Sequence, residues 1–199
     1  GRQFYDLGGY PVADSTKQVH SDCEKAMQKS IDAMEVDFQS IRTGRASTHL
    51  LDRVMVDYHG SPVSLQQLAS ISVPEPQTIM IRPYDPSTLK AIEKAILSSD
   101  LKLTPNNDGK VVRLNIPPLT QDRRKELARL VSRRVEEAKV ALRNHRREAM
   151  ERLKKLEDDD VISEDEHKRA QKDIENLVHK FTAKADEAGK RKESEILEI

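Results

Sequence analysis

Residues Thr120 to Leu156 read TQDRRKELARLVSRRVEEAKVALRNHRREAMERLKKL, 37 consecutive positions without glycine or proline. Apolar side chains recur along this segment at steps of three and four, as on the buried side of an amphipathic helix. A helix of this length runs roughly 55 Å, which is typical of bundles and coiled coils. We therefore predict a long helix with Thr120 as its N-cap and a packing seam of Leu127, Val131, Val135, Ala138, Leu142, His145, Ala149, Leu153 and Leu156.

Two further segments carry the same helical periodicity. Their predicted seams are Val19, Cys23, Met27, Ser30, Met34, Phe38 and Ile41 in the first, and Ala170, Ile174, Leu177, Phe181, Ala185 and Ala188 in the last. Ala13 to Thr43 also lacks glycine and proline, and Gly44 is expected to end that helix. A third helix is expected after the acidic run Glu157 to Asp160, because Ser163 and Glu166 have the spacing of a capping box. Three one-sided helices bury their seams most simply against one another, so the pattern predicts a bundle.

Between the first two helices the sequence changes character. Eight of the nine prolines lie from Pro62 to Pro118, and short runs of β type replace the helical periods. We predict an α+β fold in which a small β/α/β domain, residues 44–118, is inserted between helices one and two of a three-helix bundle. The bundle would comprise residues 17–43 and 119–199, after a flexible extension at 1–16. In the insert, strands are expected at 54–58, 71–73 and 78–82, a helix at 88–97, and a hairpin pairing 101–103 with 112–116.

Charge is segregated along the chain. The whole protein has 34 basic and 34 acidic residues, yet Thr120 to Leu156 contains 13 basic and six acidic residues, a net charge of +7. The remainder of the chain therefore carries −7. Such asymmetry indicates a polyanionic partner more strongly than the net charge does.

Several of the basic residues are expected on one side of the long helix. At roughly 100° per residue, Arg129, Arg133, Arg143 and Arg147 fall opposite the packing seam, and Arg146 lies on the flank. Arginine outnumbers lysine nine to four in the segment, and its planar guanidinium suits phosphates and bases, which favours a nucleic acid over a lipid surface. The alternative is a solvated helix face balanced by ion pairs, since acidic residues interrupt the stripe.

A second basic site, Arg42 and Arg45, lies at the predicted end of helix one. Binding of RNA and favourable interaction with the helix dipole are equal alternatives for these two arginines. Cys23 and His145 fall on apolar seams, where a packing role is the favoured interpretation. Neither a catalytic triad, a phosphate-binding glycine loop nor a metal-binding spacing is recognisable. We therefore expect a protein that is not an enzyme and has no catalytic residue, metal or cofactor.

Four motifs together resemble the ribosome recycling factor family. They are IRTGRAS at 41–47, PPLT at 117–120, RNHRR at 143–147 and ISED at 162–165, and the resemblance runs from about residue 17 to residue 199. It implies an L-shaped protein whose bundle is joined by a flexible hinge to the small domain. It also implies binding to the post-termination 70S-type ribosome through large-subunit rRNA. With elongation factor G and GTP, such a factor promotes subunit splitting and the release of mRNA and tRNA.

The resemblance assigns roles to individual residues. By position, Arg42, Arg45, Arg143, Arg146 and Arg147 become the expected rRNA contacts, with Arg146 the first to substitute. The charged stripe alone adds Arg129 and Arg133. Because the insert is tethered by two chain segments, the expected hinge consists of Thr43, Gly44, Ala46, Ser47, Pro117 and Pro118.

The remaining expectations concern partners and compartment. The resemblance implies a monomer that binds the ribosome and elongation factor G, without a membrane role. The sequence departs from the compact bacterial pattern in the extension 1–16 and at His145, where an aliphatic residue is usual. The extension suggests an organellar form, and the resemblance is closest to plastid members, whose targeting segment would have been removed. The expected location is the chloroplast stroma, with the mitochondrial matrix or a bacterial cytoplasm as alternatives. The competing function is a non-catalytic helical scaffold or adaptor whose basic face binds an acidic protein.

Overall fold

The computed structural model of the protein describes residues 14–197. They divide into two compact units. The first comprises residues 14–38 and Arg129–Glu193, and the second comprises Gln39–Ala128 and residues 194–197. The predicted insert, residues 44–118, lies wholly within the second unit, which also takes in part of the flanking helical segments.

Three long helices and a small sheet make up the architecture, which confirms the predicted α+β class. The first helix is shorter than predicted, because it ends at Gln39 and residues 40–47 form turns and bends. In chain order the elements are α1 (Thr16–Gln39), a 3-10 helix (Thr48–Leu51), β1 (Met55–Tyr58), β2 (Ser61–Ser64), α2 (Leu65–Leu68), β3 (Ala69–Glu75), β4 (Thr78–Pro83), a second 3-10 helix (Pro86–Thr88), α3 (Leu89–Leu97), β5 (Pro105–Asn107), β6 (Val112–Asn115), α4 (Gln121–Asp158) and α5 (Glu164–Leu197).

The starts of the long helices follow local sequence signals. Thr120 Oγ1 accepts a hydrogen bond from the backbone N–H of Arg123 at 3.1 Å, which confirms it as the N-cap of α4. Ser163 Oγ accepts from the backbone N–H of Glu166 at 3.1 Å and begins α5 as predicted. Ser15 caps α1 in the same way, at 3.1 Å. These ends were predictable because each cap lies within three residues of its partner.

The end of α4 differs from the prediction, since the helix continues into the acidic run and ends at Asp158. The N–H groups of Asp160 and Val161 then bond to the carbonyls of Glu157 and Leu156 at 3.0 and 2.9 Å. With Asp160 at a φ of 55°, this is a Schellman motif. Aspartate tolerates this left-handed conformation because its short polar side chain hydrogen-bonds locally.

Residues 1–13 of the predicted extension lie outside the described residues. Its last three positions run directly into α1. Asp14 accepts hydrogen bonds from Arg152 Nε at 3.0 Å and Arg152 Nη2 at 2.6 Å. This part of the extension is therefore held against α4.

The first unit has an apolar core built from all three helices. In α1 the structure buries Ile31 where the sequence had suggested Ser30, and Ser30 is half buried. The predicted seam of α4 is buried except at His145, which is half buried. The predicted seam of α5 is buried throughout, at Ala170, Ile174, Leu177, Phe181, Ala185 and Ala188. Helical periodicity thus located most of this core.

In the second unit, β3 to β6 form an antiparallel sheet in the order β3-β4-β6-β5, and β1 pairs with β2. The predicted strands at 54–58, 71–73 and 78–82 and the helix at 88–97 correspond to β1, β3, β4 and α3. Strand β2 was not predicted, because Pro62 disfavours a strand assignment.

The predicted partner of β6 is wrong, because β5 begins at Pro105 and not at Leu101. Asp108 Oδ1 accepts hydrogen bonds from the N–H groups of Lys110 and Val111, both at 2.9 Å. This tight turn pairs the residues next to it, Asn107 with Val112, so the strands lie closer to the turn than predicted.

Alternation in β4 and β6 places Ile79, Ile81 and Leu114 in the core of the second unit, together with Ile92 and Ile96 of α3. All five side chains are fully buried.

Among residues 14–197, no helix is long and apolar enough to cross a membrane.

Candidate nucleic-acid interface

Basic residues on the side of α4 nearest α1 form ion pairs with acidic partners. Arg134 Nε donates to Asp37 Oδ2 at 2.6 Å. Arg152 lies 2.6 Å from Asp14 Oδ1 and 3.0 Å from Asp22 Oδ2. The hydrogen bond with Asp14, followed by that with Asp22, raises the pKa of Arg152. These two arginines therefore join α4 to α1 and to the residues before it.

The opposite flank of α4 is joined to α5. Lys139 Nζ lies 2.7 Å from Asp186 Oδ1 and 3.7 Å from Glu136 Oε1. The hydrogen bond with Asp186 raises the pKa of Lys139. Arg146 Nε donates to Glu175 Oε1 at 2.7 Å. Part of the positive charge of α4 is thus balanced by α1 and α5.

Four arginines predicted opposite the seam remain on the outer surface of α4. All four are exposed, and none has a hydrogen-bond or ion-pair partner among residues 14–197. From the first to the last they extend roughly 27 Å along the helix. We refer to them as the crest arginines: Arg129, Arg133, Arg143 and Arg147.

The crest arginines form two pairs, each one helical turn apart. About 15 Å of helix separates Arg133 from Arg143, and Val140 is exposed between them. Like charges at positions i and i+4 destabilise a helix by about 0.2–0.5 kcal/mol. Each pair thus concentrates positive charge on the outer surface of α4 despite this small cost.

Arg146, predicted to be the foremost contact, lies on the α5 flank and not on the crest. Its side chain is 44% exposed and its Nε is bound to Glu175. Neither Nη1 nor Nη2 has a partner among the described residues. Arg146 can therefore donate further hydrogen bonds from both Nη groups to a ligand beside the crest.

The other two predicted contacts, Arg42 and Arg45, belong to the second unit. Arg42 Nη2 donates to the carbonyl oxygen of Leu101 at 2.7 Å. Arg45 is exposed. The carbonyl of Leu101 belongs to the loop before β5. The described hydrogen bond of Arg42 is therefore not a contact with the last turn of α1, which ends at Gln39.

The predicted hinge residues also lie in the second unit. Gly44 is buried and has a φ of 75°, and a Cβ built on it would lie 3.1 Å from Leu119 Cγ. The N–H of Ala46 donates to the carbonyl of Pro76 at 2.7 Å. Ser47 Oγ accepts from His49 N at 3.3 Å and caps the first 3-10 helix. Of the remaining three, Pro117 and Pro118 are exposed and Thr43 is half buried.

Cys23 and His145 have packing roles, as predicted. Cys23 is 5% exposed, and burial raises the pKa of its thiol to about 11, so the thiol stays protonated near neutral pH. His145 Nε2 lies 2.9 Å from Ser30 Oγ. Within residues 14–197, no group of three or more His, Cys, Asp or Glu side chains could hold a metal ion.

The sequence did not reveal the carboxylates that pair with the flanking cations. Asp37 is 97 residues from Arg134, and Glu175 is 29 residues from Arg146. No motif links these positions. One signal was present for Arg146, because at roughly 100° per residue it is predicted on the flank of α4 between the seam and the outer face. Glu175 of α5 meets it there.

Comparison with known proteins gives a consistent result. Residues 34–197 match the family model described as ribosome recycling factor. A ribosome-recycling factor from Alkaliphilus metalliredigens is 50% identical over 182 residues, which cover 92% of this chain and 98% of the relative. One from Nitratidesulfovibrio vulgaris is 51% identical over 178 residues, covering 89% and 96%.

Solved structures agree with this match. A solution structure of a ribosome recycling factor superposes with a TM-score of 0.75 at 40% identity, covering 94% of this chain and 100% of that chain. A second structure, of models for the T. thermophilus ribosome recycling factor and the E. coli elongation factor G bound to the E. coli post-termination complex, gives a TM-score of 0.64 at 45% identity, covering 92% and 100%. By sequence and by fold, the chain belongs to the ribosome recycling factor family.

Proposed function

We propose that the protein is a ribosome recycling factor. It binds the post-termination ribosome and, with elongation factor G and GTP, promotes separation of the subunits and release of mRNA and tRNA. Membership of the family supports this function, as does the relative whose structure is described as bound to a post-termination complex with elongation factor G. The chain acts by binding and is not an enzyme, since the GTP chemistry belongs to the partner.

The crest arginines are the observation that carries the proposed rRNA contact. Their guanidinium groups are planar and always charged, and each can bind a phosphate through two hydrogen bonds. Because they have no partner among residues 14–197, they lose no described ion pair when they bind. The flanking cations Arg134, Lys139 and Arg152 would have to exchange a carboxylate for a phosphate.

Arg146 extends this surface through its two Nη groups. Arg42 and Arg45 supply a second set of proposed contacts from the other unit. The bond from Arg42 to Leu101 involves Nη2, which leaves its other donors for RNA. We further propose that Thr43, Gly44, Ala46, Ser47, Pro117 and Pro118 form a hinge that allows the inserted domain to move during subunit splitting.

We infer a plastid location, in the chloroplast stroma, from the resemblance of the sequence to plastid members of the family. The relatives named above are bacterial, so a bacterial cytoplasm is an alternative, as is the mitochondrial matrix. Expression of the complete coding sequence with a C-terminal fluorescent tag in the source organism tests this inference. Fluorescence that does not coincide with chlorophyll would contradict it.

Ribosome binding tests the proposed function directly. We expect the protein to sediment with bacterial 70S ribosomes at moderate salt, and to increase the rate of subunit splitting, followed by light scattering, when elongation factor G and GTP are present. Binding should weaken steeply with salt, because phosphate contacts release counterions. Failure to co-sediment would contradict the proposal and would favour the scaffold that binds an acidic protein.

A further inference from the structure

The pair formed by Arg146 and Glu175 differs from the other ion pairs that join α4 to neighbouring helices. Arg134 and Lys139 are each 21% exposed in their side chains, whereas Arg146 is 44% exposed. The single nitrogen of Lys139 is shared by two carboxylates. Arg146 is held only through Nε among the described residues, and its Nη groups remain available. The guanidinium of Arg146 is therefore held at Nε, while its Nη1 and Nη2 groups can still donate hydrogen bonds.

The geometry of a guanidinium explains why this arrangement matters. The group is planar, so a hydrogen bond at Nε restricts the direction in which Nη1 and Nη2 point. Glu175 lies on α5 and accepts that bond at 2.7 Å. A long side chain that is already ordered loses less conformational freedom when it binds a phosphate. Glu175 is thus placed to reduce the entropic loss of binding through Arg146.

We propose that Glu175 is a positioning residue for the rRNA contact of Arg146. Its carboxylate orients the guanidinium so that both Nη groups face the RNA backbone, and it thereby increases affinity for the ribosome. This inference rests on the proposed function. It extends the binding site from α4 to α5, through a residue whose own charge repels RNA.

Because the charge of Glu175 repels RNA, its removal tests the proposal through the direction in which the affinity for the ribosome changes. Simple electrostatics predicts that removal of the negative charge of Glu175 strengthens binding to a polyanion. Positioning predicts the opposite, because a free Arg146 must be ordered by the ligand. The two explanations are therefore separated by the direction of the change in affinity.

The experiment measures the dissociation constant for bacterial 70S ribosomes at one moderate salt concentration. We expect Glu175→Ala to bind about three- to tenfold more weakly, which corresponds to the loss of order of one long side chain. Glu175→Gln should bind at least as tightly as the unsubstituted protein, since its amide oxygen can still accept from Arg146 Nε. Both variants are expected to fold, because alanine is the best helix former and glutamine has about the same helix propensity as glutamate.

Asp186→Ala is the matched control, because it removes one negative charge from the same face of α5 and releases Lys139. Its affinity should be unchanged or higher. In an Arg146→Ala background, Glu175→Ala should leave the affinity unchanged or raise it, because only the repulsion between its charge and the RNA is then removed. Circular dichroism verifies that each variant has the same helix content.

Two results would overturn the positioning role. One is a Glu175→Ala variant that binds as tightly as the unsubstituted protein or more tightly. The other is a loss of affinity that persists when Arg146 is absent. If the unsubstituted protein does not bind ribosomes, the proposed function itself fails, and this is known before any variant is measured.

Discussion

At the scale of single residues, neighbours decide what each arginine of α4 does. Arg143 and Arg146 are three positions apart, yet Arg143 is exposed without a partner among residues 14–197, while Arg146 is bound to Glu175. The same distinction separates Arg147 from Arg134. A net charge of +7 therefore overstates the number of cations that are free to meet a polyanion.

This distinction predicts different effects for two substitutions that remove the same charge. Arg147→Ala should weaken ribosome binding and make the double-logarithmic salt dependence shallower by roughly 0.7–0.9, because one phosphate contact is lost. Its melting temperature should stay the same or rise slightly, since the side chain has no described partner and its repulsion with Arg143 is removed. The measurement is ribosome binding over a series of salt concentrations.

Arg134→Ala is the control for that experiment. It breaks the ion pair with Asp37, which is worth about 0–1 kcal/mol because the carboxylate of Asp37 is exposed to solvent. The salt slope should keep its original value, and only thermal stability should decrease slightly. An equal change of slope in both variants would mean that charge acts at long range and that the crest has no special role.

At the scale of elements, close packing between α4 and α5 depends on one glycine. A Cβ added to Gly189 would lie 2.6 Å from Val135 Cγ2, which is closer than atoms can pack. Gly189 is buried and its φ is not positive, so the requirement is space and not backbone conformation. The β-branched side chain of Val135 is stiff and cannot turn aside easily.

We predict that Gly189→Ala destabilises the protein, although alanine is normally favoured over glycine in a helix by about 1 kcal/mol. Overpacking costs typically about 1–3 kcal/mol, so the expected net loss is about 1 kcal/mol and roughly 2–4 °C in melting temperature. Thermal unfolding followed by circular dichroism measures this change. In a Val135→Ala background the same substitution should become stabilising, and no change of sign would exclude the steric explanation.

Local signals explain which elements were predictable. The starts of α4 and α5 are set by caps within three residues, and the buried seams follow the helical period. Strands β2 and β5 were missed or misplaced, because each contains a proline and is stabilised by a pairing partner and not by its own sequence. The end of α1 at Gln39 also follows no local breaker, since the next glycine is Gly44.

For the whole molecule, the proposed hinge predicts that the inserted domain moves during subunit splitting, and a covalent cross-link across the hinge tests this. A Cβ on Gly44 would lie 3.8 Å from Leu119 Cβ, within the range that a disulfide requires. The φ of 75° at Gly44 means that any side chain there strains the backbone in both the oxidised and the reduced form. A disulfide between Gly44→Cys and Leu119→Cys, in a Cys23→Ala background, would tie together the two chain segments that tether the insert. We expect the oxidised protein to bind ribosomes but to split subunits more slowly with elongation factor G and GTP.

The reduced form of the same variant is the control, because it carries the same substitutions without the covalent link. Reduction should restore the rate of splitting measured by light scattering. Equal rates in the oxidised and reduced forms would show that motion at these two segments is not required.

Periodicity, local caps and short motifs were enough to predict the α+β class, most of the three helix seams, the segregation of charge and the family. Which cations are bound and which are free depends on contacts between helices. The carboxylates of Asp37, Asp186 and Glu175 are distant in sequence from the basic residues that they bind. Helix packing brings them together, and leaves the crest arginines on the outer surface of α4.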